Sequence, residues 1–199
     1  MHYLDFAAEE GKGTLLSKSI GERSQVMVRP AEMRDAAAIA EIYNQGIRDR
    51  IATFEVEERS VEERESWLAA HDEHHPCLVA VEPEHEQVVG WISADSYRSR
   101  SCYRGIAEYS VYVHRDWRKH GVGYALMNAF IPAAEEAGLW KLVSRIFPEN
   151  VGSLALCRRT GFREVGYYEK HATLDGVWRD VVIVERLLPR NIEQPPPEW

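Results

Sequence analysis

The apolar and polar positions of this chain alternate between strand-like and helix-like segments. Alternating or continuous apolar residues predict strands at residues 26–29, 77–82, 88–97, 107–113, 141–147, 161–171 and 178–188. Helical spacing is found over residues 35–45, after Ser60, from Gly121 to about residue 137, and from Asn150 to Gly161. The resulting order, β-α-α-β-β-β-α-β-α-β-β, favours an α/β fold with a mixed sheet and helices on both faces.

Local signals mark where several of these elements begin and end. Gly46 is a plausible stop for the first helix, and Ser60 with Glu63 has the capping-box spacing that starts a second one. The polar turn EPEHEQ joins two apolar runs into a hairpin. Gly138 is placed to end the helix that Gly121 opens.

The periodic pattern covers residues 26–190, which we interpret as one domain. Residues 1–25 are mixed and dotted with glycine, so they predict a loosely held extension. Residues 191–199, NIEQPPPEW, contain three consecutive prolines and predict an exposed tail.

Composition narrows the class of function. A formal net charge of −8 argues against a nucleic-acid partner, whose binding proteins carry a basic surface. No stretch approaches the length of a membrane span, and the N-terminal residues do not have the order of a secretory signal. Three cysteines without a CxxC pair predict reduced thiols in a cytoplasmic protein.

A glycine loop is the first sign of specific chemistry. The segment VYVHRDWRKHGVG leads from a strand into a helix through Arg118, Gly121 and Gly123, in the spacing R-x-x-G-x-G. Glycines allow backbone N–H groups to approach a phosphate, and a helix N-terminus favours negative charge. The Walker spacing is absent, and a dinucleotide fingerprint would need glycine where Leu126 stands. A plain glycine turn before a helix remains the alternative.

The sequence SVYVHRDWRKHGVG, followed by PEN and RRTGF, resembles the GNAT acetyltransferase superfamily. Within it, SYRSRSCYRGIAEYSVYV and DGVWRDVVIVERLL resemble the phosphinothricin N-acetyltransferase branch, including its arsinothricin-detoxifying relatives. The resemblance implies a mostly antiparallel sheet with a splayed strand pair that binds acetyl-CoA. It also implies a homodimer.

Several site residues follow from the resemblance. The loop and the helix start would bind the pyrophosphate of acetyl-CoA through Arg118, Lys119, His120, Gly121, Val122, Gly123 and Tyr124. Free backbone groups of Val111, Tyr112 and Val113 would bind the pantetheine arm and the thioester oxygen, although an ordinary buried strand explains the same alternation. Asn150 would contact the arm, and it also suits a helix N-cap.

Glu108 is the expected catalytic base. It lies in the strand just ahead of the VYV segment, within a side chain's reach of a thioester held there, and the branch has its base at this position. A carboxylate shielded from water takes up a proton more readily. The alternative is that Glu108 is an ordinary solvent-facing strand residue without a catalytic role.

The chain departs from the family at Cys157, where many members carry a tyrosine that protonates the leaving thiolate. A cysteine there is either a weak acid or a small buried apolar residue. We expect the second role.

The resemblance implies a small amphoteric amine as the acceptor. Arg98 and Arg100 match basic positions of the branch and would bind an anionic group through their forked donors. Phe54 and Tyr103 would line the acceptor site, although a lone aromatic residue usually belongs to the core. The cluster HDEHH at residues 71–75 mimics a metal site, but a charged turn is normally solvated, so we predict no metal.

Two other functions remain open. One is acetylation of a protein or peptide amine, against which the arginine pair favours a small anionic substrate. The other is a non-catalytic module that senses acetyl-CoA, which the cysteine at position 157 favours and the glutamate at position 108 opposes.

Overall fold

The computed structural model describes residues 26–193. The predicted extension at residues 1–25 and the last six residues of the predicted tail lie outside the described residues.

Within this range the chain forms seven strands and five helices. The strands are β1 (Met27–Pro30), β2 (Cys77–Glu82), β3 (Gln87–Ser96), β4 (Ile106–Val113), β5 (Lys141–Ile146), β6 (Arg163–Leu174) and β7 (Val177–Leu187). The helices are α1 (Ala36–Asp49), α2 (Val61–Ala69), α3 (Val122–Glu136), α4 (Val151–Arg159) and the short α5 (Pro189–Ile192). The predicted order of elements is confirmed up to β7, and the predicted boundary at residue 190 falls inside α5.

All seven strands belong to one open sheet in the order β1-β2-β3-β4-β5-β7-β6. Every neighbouring pair is antiparallel except β4 and β5, which are parallel. The predicted mixed, mostly antiparallel sheet is therefore confirmed.

The parallel pair separates soon after it forms. β4 and β5 are paired only from Ile106 with Lys141 to Glu108 with Val143, although each strand continues beyond that point. The last five residues of β4 keep β3 as a neighbour on one side and have no strand partner on the other. This divergence opens the sheet at its centre.

The sheet carries helices on both faces, each with its own apolar cluster. Side chains of α1 and α2 pack on one face around Val79 and Trp91. Side chains of α3 and α4 pack on the other face around Tyr109 and Leu142. Because side chains alternate along a strand, Glu108 and Tyr109 point to opposite faces.

The first helix is longer than the sequence predicts. Gly46 does not end α1, which continues to Asp49, and Arg50 follows in the left-handed conformation with φ of 57°. A β-carbon at Gly46 would lie 2.8 Å from Cε1 of Tyr112. The glycine is therefore explained by the close approach of a ring and not by a chain turn.

Two predicted helix caps are confirmed. The Ser60 side chain accepts a hydrogen bond from the Glu63 backbone, and the Glu63 side chain accepts one from the Ser60 backbone, which completes a capping box. Asn150 accepts a hydrogen bond from the Ser153 backbone at 3.1 Å. No helix within residues 26–193 is both long and apolar enough to cross a membrane.

Candidate functional site

A cavity of about 1110 Å³ opens where β4 and β5 separate. Its walls come from the segment after α1, the helix α2, the centres of β3, β4 and β5, and the start of α4. Five of the predicted site residues line it: Phe54, Glu108, Val111, Tyr112 and Asn150.

Glu108 lies at the last paired position of β4, directly before the divergence. Its carboxylate accepts two hydrogen bonds from Arg145 of β5, at 2.9 and 2.5 Å. The hydrogen bonds that Arg145 donates to Glu108 raise the pKa of Arg145, although partial burial acts in the opposite direction. The predicted base is thus held in place by a fork of two donors, and both side chains line the cavity.

The backbone predicted to bind the pantetheine arm lies just beyond Glu108. Val111, Tyr112 and Val113 are in the part of β4 that β5 does not cover. Asn150 caps α4 and also donates from Nδ2 to the backbone oxygen of Ile51, 3.2 Å away. The N-cap interpretation of Asn150 is therefore correct, and its position on the cavity wall keeps the second predicted role open.

The predicted phosphate loop leads directly into α3. Gly121 is the N-cap residue with φ of 85°, and it offers no side chain to cap the helix. The first intrahelical bond runs from Ala125 to Gly121, so the N–H groups of residues 122–124 have no acceptor within the helix. Lys119 also has a positive φ, 66°. Such a helix start is suited to an anion.

Arg118 has a partner that the sequence does not reveal. Its Nη1 lies 2.7 Å from the carboxylate of Asp49 at the end of α1. Arg115 also pairs with Asp49, at 3.3 Å. These ion pairs tie the loop to α1, so Arg118 helps to fix the loop whatever else it binds.

The predicted acceptor residues divide into two groups. Phe54 lines the cavity. It also packs edge-on against Phe147, with 4.7 Å between ring centroids, and so belongs to a small apolar cluster. Arg98, Arg100 and Tyr103 do not line the cavity. The guanidinium of Arg98 lies instead 5.8 Å from the Tyr103 ring, in the connection between β3 and β4.

Cys157 is buried on the opposite face of the sheet from Glu108. Its Sγ lies 3.0 Å from the hydroxyl of Tyr109, and both residues reach the cavity. Burial raises the pKa of Cys157 above that of a free thiol, and it raises the pKa of Tyr109 well above that of a free phenol. Both groups are therefore protonated at neutral pH. Burial agrees with the expected role of Cys157 as a small core residue.

Several cavity residues are missing from the predictions. Tyr43, Arg64, Trp67 and Trp91 form one end of the cavity, and Asp95 lies opposite Glu108 on β3. The sequence held one usable signal, because Arg64 and Trp67 are three residues apart and share a face of α2.

The residues at 71–75 do not form a cluster of metal ligands. His75 lies 2.7 Å from Asp72, as an ordinary turn contact. Within residues 26–193, the side chains that bring three potential ligand atoms together are Glu82, Glu84 and His85, in the turn after β2. There Glu82 accepts hydrogen bonds from the backbone of both other residues.

The fold and its divergent strand pair agree with the family to which the sequence is similar. The acetyltransferase (GNAT) family model matches residues 39–162. The chain belongs to the GNAT acetyltransferase family. The matched range runs from α1 to the residue before β6, and it includes Glu108, the glycine loop and Asn150.

Curated relatives of this GNAT chain share most of its length. The phosphinothricin N-acetyltransferase of Streptomyces coelicolor is 31% identical over 83% of this chain and 98% of that protein. The L-methionine sulfoximine/L-methionine sulfone acetyltransferase of Pseudomonas paraeruginosa is 31% identical over 79% of this chain and 92% of that protein.

A solved structure gives the same picture. The GNAT superfamily phosphinothricin acetyltransferase of Sinorhizobium meliloti, in complex with AcCoA, superposes with a TM-score of 0.80. It is 27% identical and covers 87% of this chain and 94% of its own. The resemblance to the phosphinothricin branch is therefore confirmed.

Proposed function

We propose that this chain transfers the acetyl group of acetyl-CoA to the primary amine of a small amino-acid-like acid. Phosphinothricin, arsinothricin and methionine sulfone exemplify the acceptor class. The observation that carries the proposal is the position of Glu108, whose carboxylate faces the cavity at the point where β4 and β5 part.

The open strand pair and the start of α3 suit the donor. When bound, acetyl-CoA supplies an acetyl group activated as a thioester. The N–H groups of residues 122–124 would hold its pyrophosphate, and the uncovered backbone of Val111 and Val113 would hold the pantetheine arm. Backbone N–H groups of the same strand would stabilise the oxyanion that forms at the acetyl carbon.

Glu108 would take the first proton that the acceptor ammonium has to lose. The amine would then bond to the acetyl carbon as the carbon–sulfur bond breaks, and the second nitrogen proton would neutralise the thiolate of the departing coenzyme A. Proton transfer to a carboxylate needs contact within about 3 Å or one bridging water. Arg145 holds the carboxylate in one orientation, so the incoming ammonium group has to compete with a guanidinium for it. This arrangement gives Arg145 a positioning role.

The charges around the cavity favour an amphoteric acceptor. Acidic residues on its walls are Glu55, Glu57, Glu63, Asp95 and Glu108, and basic ones are Arg59, Arg64, Arg145 and His171. A molecule with both an ammonium and an acid group can satisfy both signs, whereas an amine without an acid group satisfies only the acidic residues.

A thiol-release assay with a panel of acceptors tests the proposal. Phosphinothricin, methionine sulfone, an alkylamine without an acid group and a basic peptide are each incubated with the protein and acetyl-CoA, and products are identified by mass spectrometry. We expect acetylation of the two amino acids and slow or no reaction of the other two. Preferred reaction of the peptide would support a protein acetyltransferase instead, and acetyl-CoA binding without any turnover would support a sensor.

We further propose that acetylation inactivates such amino acids in the cell. Expression of the gene in a phosphinothricin-sensitive bacterium is then expected to restore growth in the presence of the compound. An active purified enzyme that gives no protection would separate the chemistry from the biological role.

A further inference from the structure

Arg64 is a buried cation on the wall of the cavity. It is the fourth residue of α2, and only 8% of the residue is exposed. Its guanidinium carbon lies 4.0 Å from the centre of the Tyr43 ring and 5.1 Å from that of Trp67. The two rings hold the guanidinium but accept no conventional hydrogen bond.

This cation has no acidic partner among residues 26–193, and its Nε atom is buried without a hydrogen-bond acceptor. The other arginines of the cavity differ, since Arg59 pairs with Glu55 and Arg145 pairs with Glu108. The carboxylate oxygens of Glu63 accept hydrogen bonds from the Ser60 backbone and from Arg59, not from Arg64. The Ser60 hydrogen bond lowers the pKa of Glu63, and the charge of Arg64 adds to that effect without a direct contact. An unpaired buried charge is strongly unfavourable, so a ligand that supplies the anion would gain much of that free energy.

A second buried donor without an acceptor lies in the same aromatic region. Trp91 is 1% exposed, its indole Nε1 has no partner among the described residues, and it lines the cavity. Its ring is 5.5 Å from that of Trp67 and 4.9 Å from that of Tyr112. Both groups are donors, and what they lack is an acceptor such as an oxyanion.

We propose that Arg64 binds the anionic group of the acceptor, as a specificity-determining residue for the acetyl transfer proposed above. The inference rests on that proposed function for the identity of the ligand. The oxyanion is a carboxylate or a phosphinate-like group that accepts hydrogen bonds from the guanidinium lying over Tyr43 and Trp67.

The position of Glu108 relative to this region indicates which acid of the acceptor is bound. The aromatic region contacts β4 at Tyr112, four residues beyond Glu108 along the strand. In phosphinothricin the α-carboxylate is attached to the carbon that carries the amine, whereas the phosphinate is two methylene groups farther away. With the amine at Glu108, the phosphinate therefore extends farther toward Arg64 than the α-carboxylate does, and it is the better match.

Direct binding and kinetics of Arg64 variants test the inference. Phosphinothricin, its α-amide and methionine sulfone are titrated by calorimetry into the wild type and into Arg64→Gln and Arg64→Lys. Loss of a charge-assisted pair is expected to weaken phosphinothricin binding about 10- to 150-fold in Arg64→Gln. Arg64→Lys keeps the charge without the fork, so a smaller loss is expected. The α-amide should show the same loss as phosphinothricin, and methionine sulfone, whose side chain is neutral, should show little.

Controls separate binding from folding and from the proposed reaction. Arg48→Gln removes one positive charge from α1 at an exposed position outside the cavity, and it should bind like the wild type. Thermal unfolding and acetyl-CoA affinity report whether Arg64→Gln folds. If Arg64→Gln does not fold, the binding of phosphinothricin to Arg64→Lys tests the inference in its place.

Equal binding of phosphinothricin to the wild type and both variants would overturn the inference, as would no binding to the wild type. A loss for methionine sulfone as large as that for phosphinothricin would move Arg64 to the α-carboxylate and overturn the assignment to the side-chain acid. Arg64-dependent binding without acetyl transfer would sustain the anion site while refuting the proposed function.

Discussion

At the scale of single residues, the cavity holds a carboxylate paired with a guanidinium, Glu108 with Arg145. The two side chains come from the parallel strands β4 and β5. Glu108 is the last residue of β4 that pairs with β5, and Arg145 lies two residues beyond Val143, its partner on β5. A carboxylate held in this way is preorganised, and under the proposed function an incoming ammonium would have to compete with the guanidinium for it. The contact with Arg145 therefore fixes the orientation of the Glu108 carboxylate and also competes with any other cation for it.

Replacement of Glu108 by glutamine keeps the size of the side chain and removes the proposed base. We expect turnover of methionine sulfone to fall about 10²- to 10⁴-fold, because general-base assistance is lost. Acetyl-CoA affinity, measured by calorimetry, should not change. Glu136→Gln, at an exposed position on α3, is the matched control. A Glu108→Gln enzyme with wild-type kcat would place the base elsewhere.

Some residues that line the cavity can be predicted from the sequence and others cannot, for a physical reason. Glu108 is predictable because it precedes a strand with a recognisable motif. Arg64 is not, because its surroundings combine side chains from α1, α2, β3 and β4 that are distant in sequence. Arg98 and Arg100 match the branch in sequence, yet the structure puts neither on the cavity wall. Their role in acceptor binding stays a prediction.

At the scale of elements, the two ends of α3 offer an internal comparison. Gly121 begins the helix and Gly138 follows its end, and both have φ of 85°. Only Gly121 belongs to the loop that is proposed to bind phosphate. Nothing lies within 4 Å of a β-carbon built on Gly138, so a side chain there meets no neighbour.

Alanine at each glycine separates the cost of the backbone from ligand binding. A left-handed residue other than glycine costs about 1–2 kcal/mol, so Gly121→Ala and Gly138→Ala should lose similar unfolding free energy in urea. Only Gly121→Ala should weaken acetyl-CoA binding, because it disturbs the N–H groups at the start of α3. Equal acetyl-CoA affinity in both variants would contradict the phosphate-loop interpretation.

Element boundaries show where local signals fail. The capping box at Ser60 and the N-cap at Asn150 were predictable because the interacting atoms lie within three residues. The continuation of α1 through Gly46 was not, because the reason for that glycine is the ring of Tyr112, sixty-six residues later in the chain.

At the scale of the whole molecule, the β6–β7 hairpin forms the far edge of the sheet and carries several exposed apolar side chains among its charged ones. The exposed large apolar residues of this hairpin are Val165, Tyr167, Tyr168, Val177, Trp178 and Leu187. Large exposed apolar patches commonly mark interfaces. We propose that this hairpin forms the interface of the homodimer that the family resemblance implies.

A charge in this patch should oppose association. In sedimentation experiments across a range of concentrations we expect the wild type to be a dimer and Trp178→Asp to shift toward the monomer, with its thermal stability nearly unchanged. Met33→Asp changes an equally exposed apolar residue near the other edge and should leave the dimer intact. A wild type that sediments as a monomer at every concentration would refute the proposal.

The early parting of β4 and β5 has a consequence for the dynamics of the backbone. Beyond Glu108, the amides of β4 that point away from β3 have no strand acceptor, so their protons should exchange with deuterium much faster than those of the paired stretch. A bound pantetheine arm would supply acceptors for the same amides. Hydrogen exchange along these five residues would therefore read out occupancy of the sheet's central opening, residue by residue, without any chemical turnover.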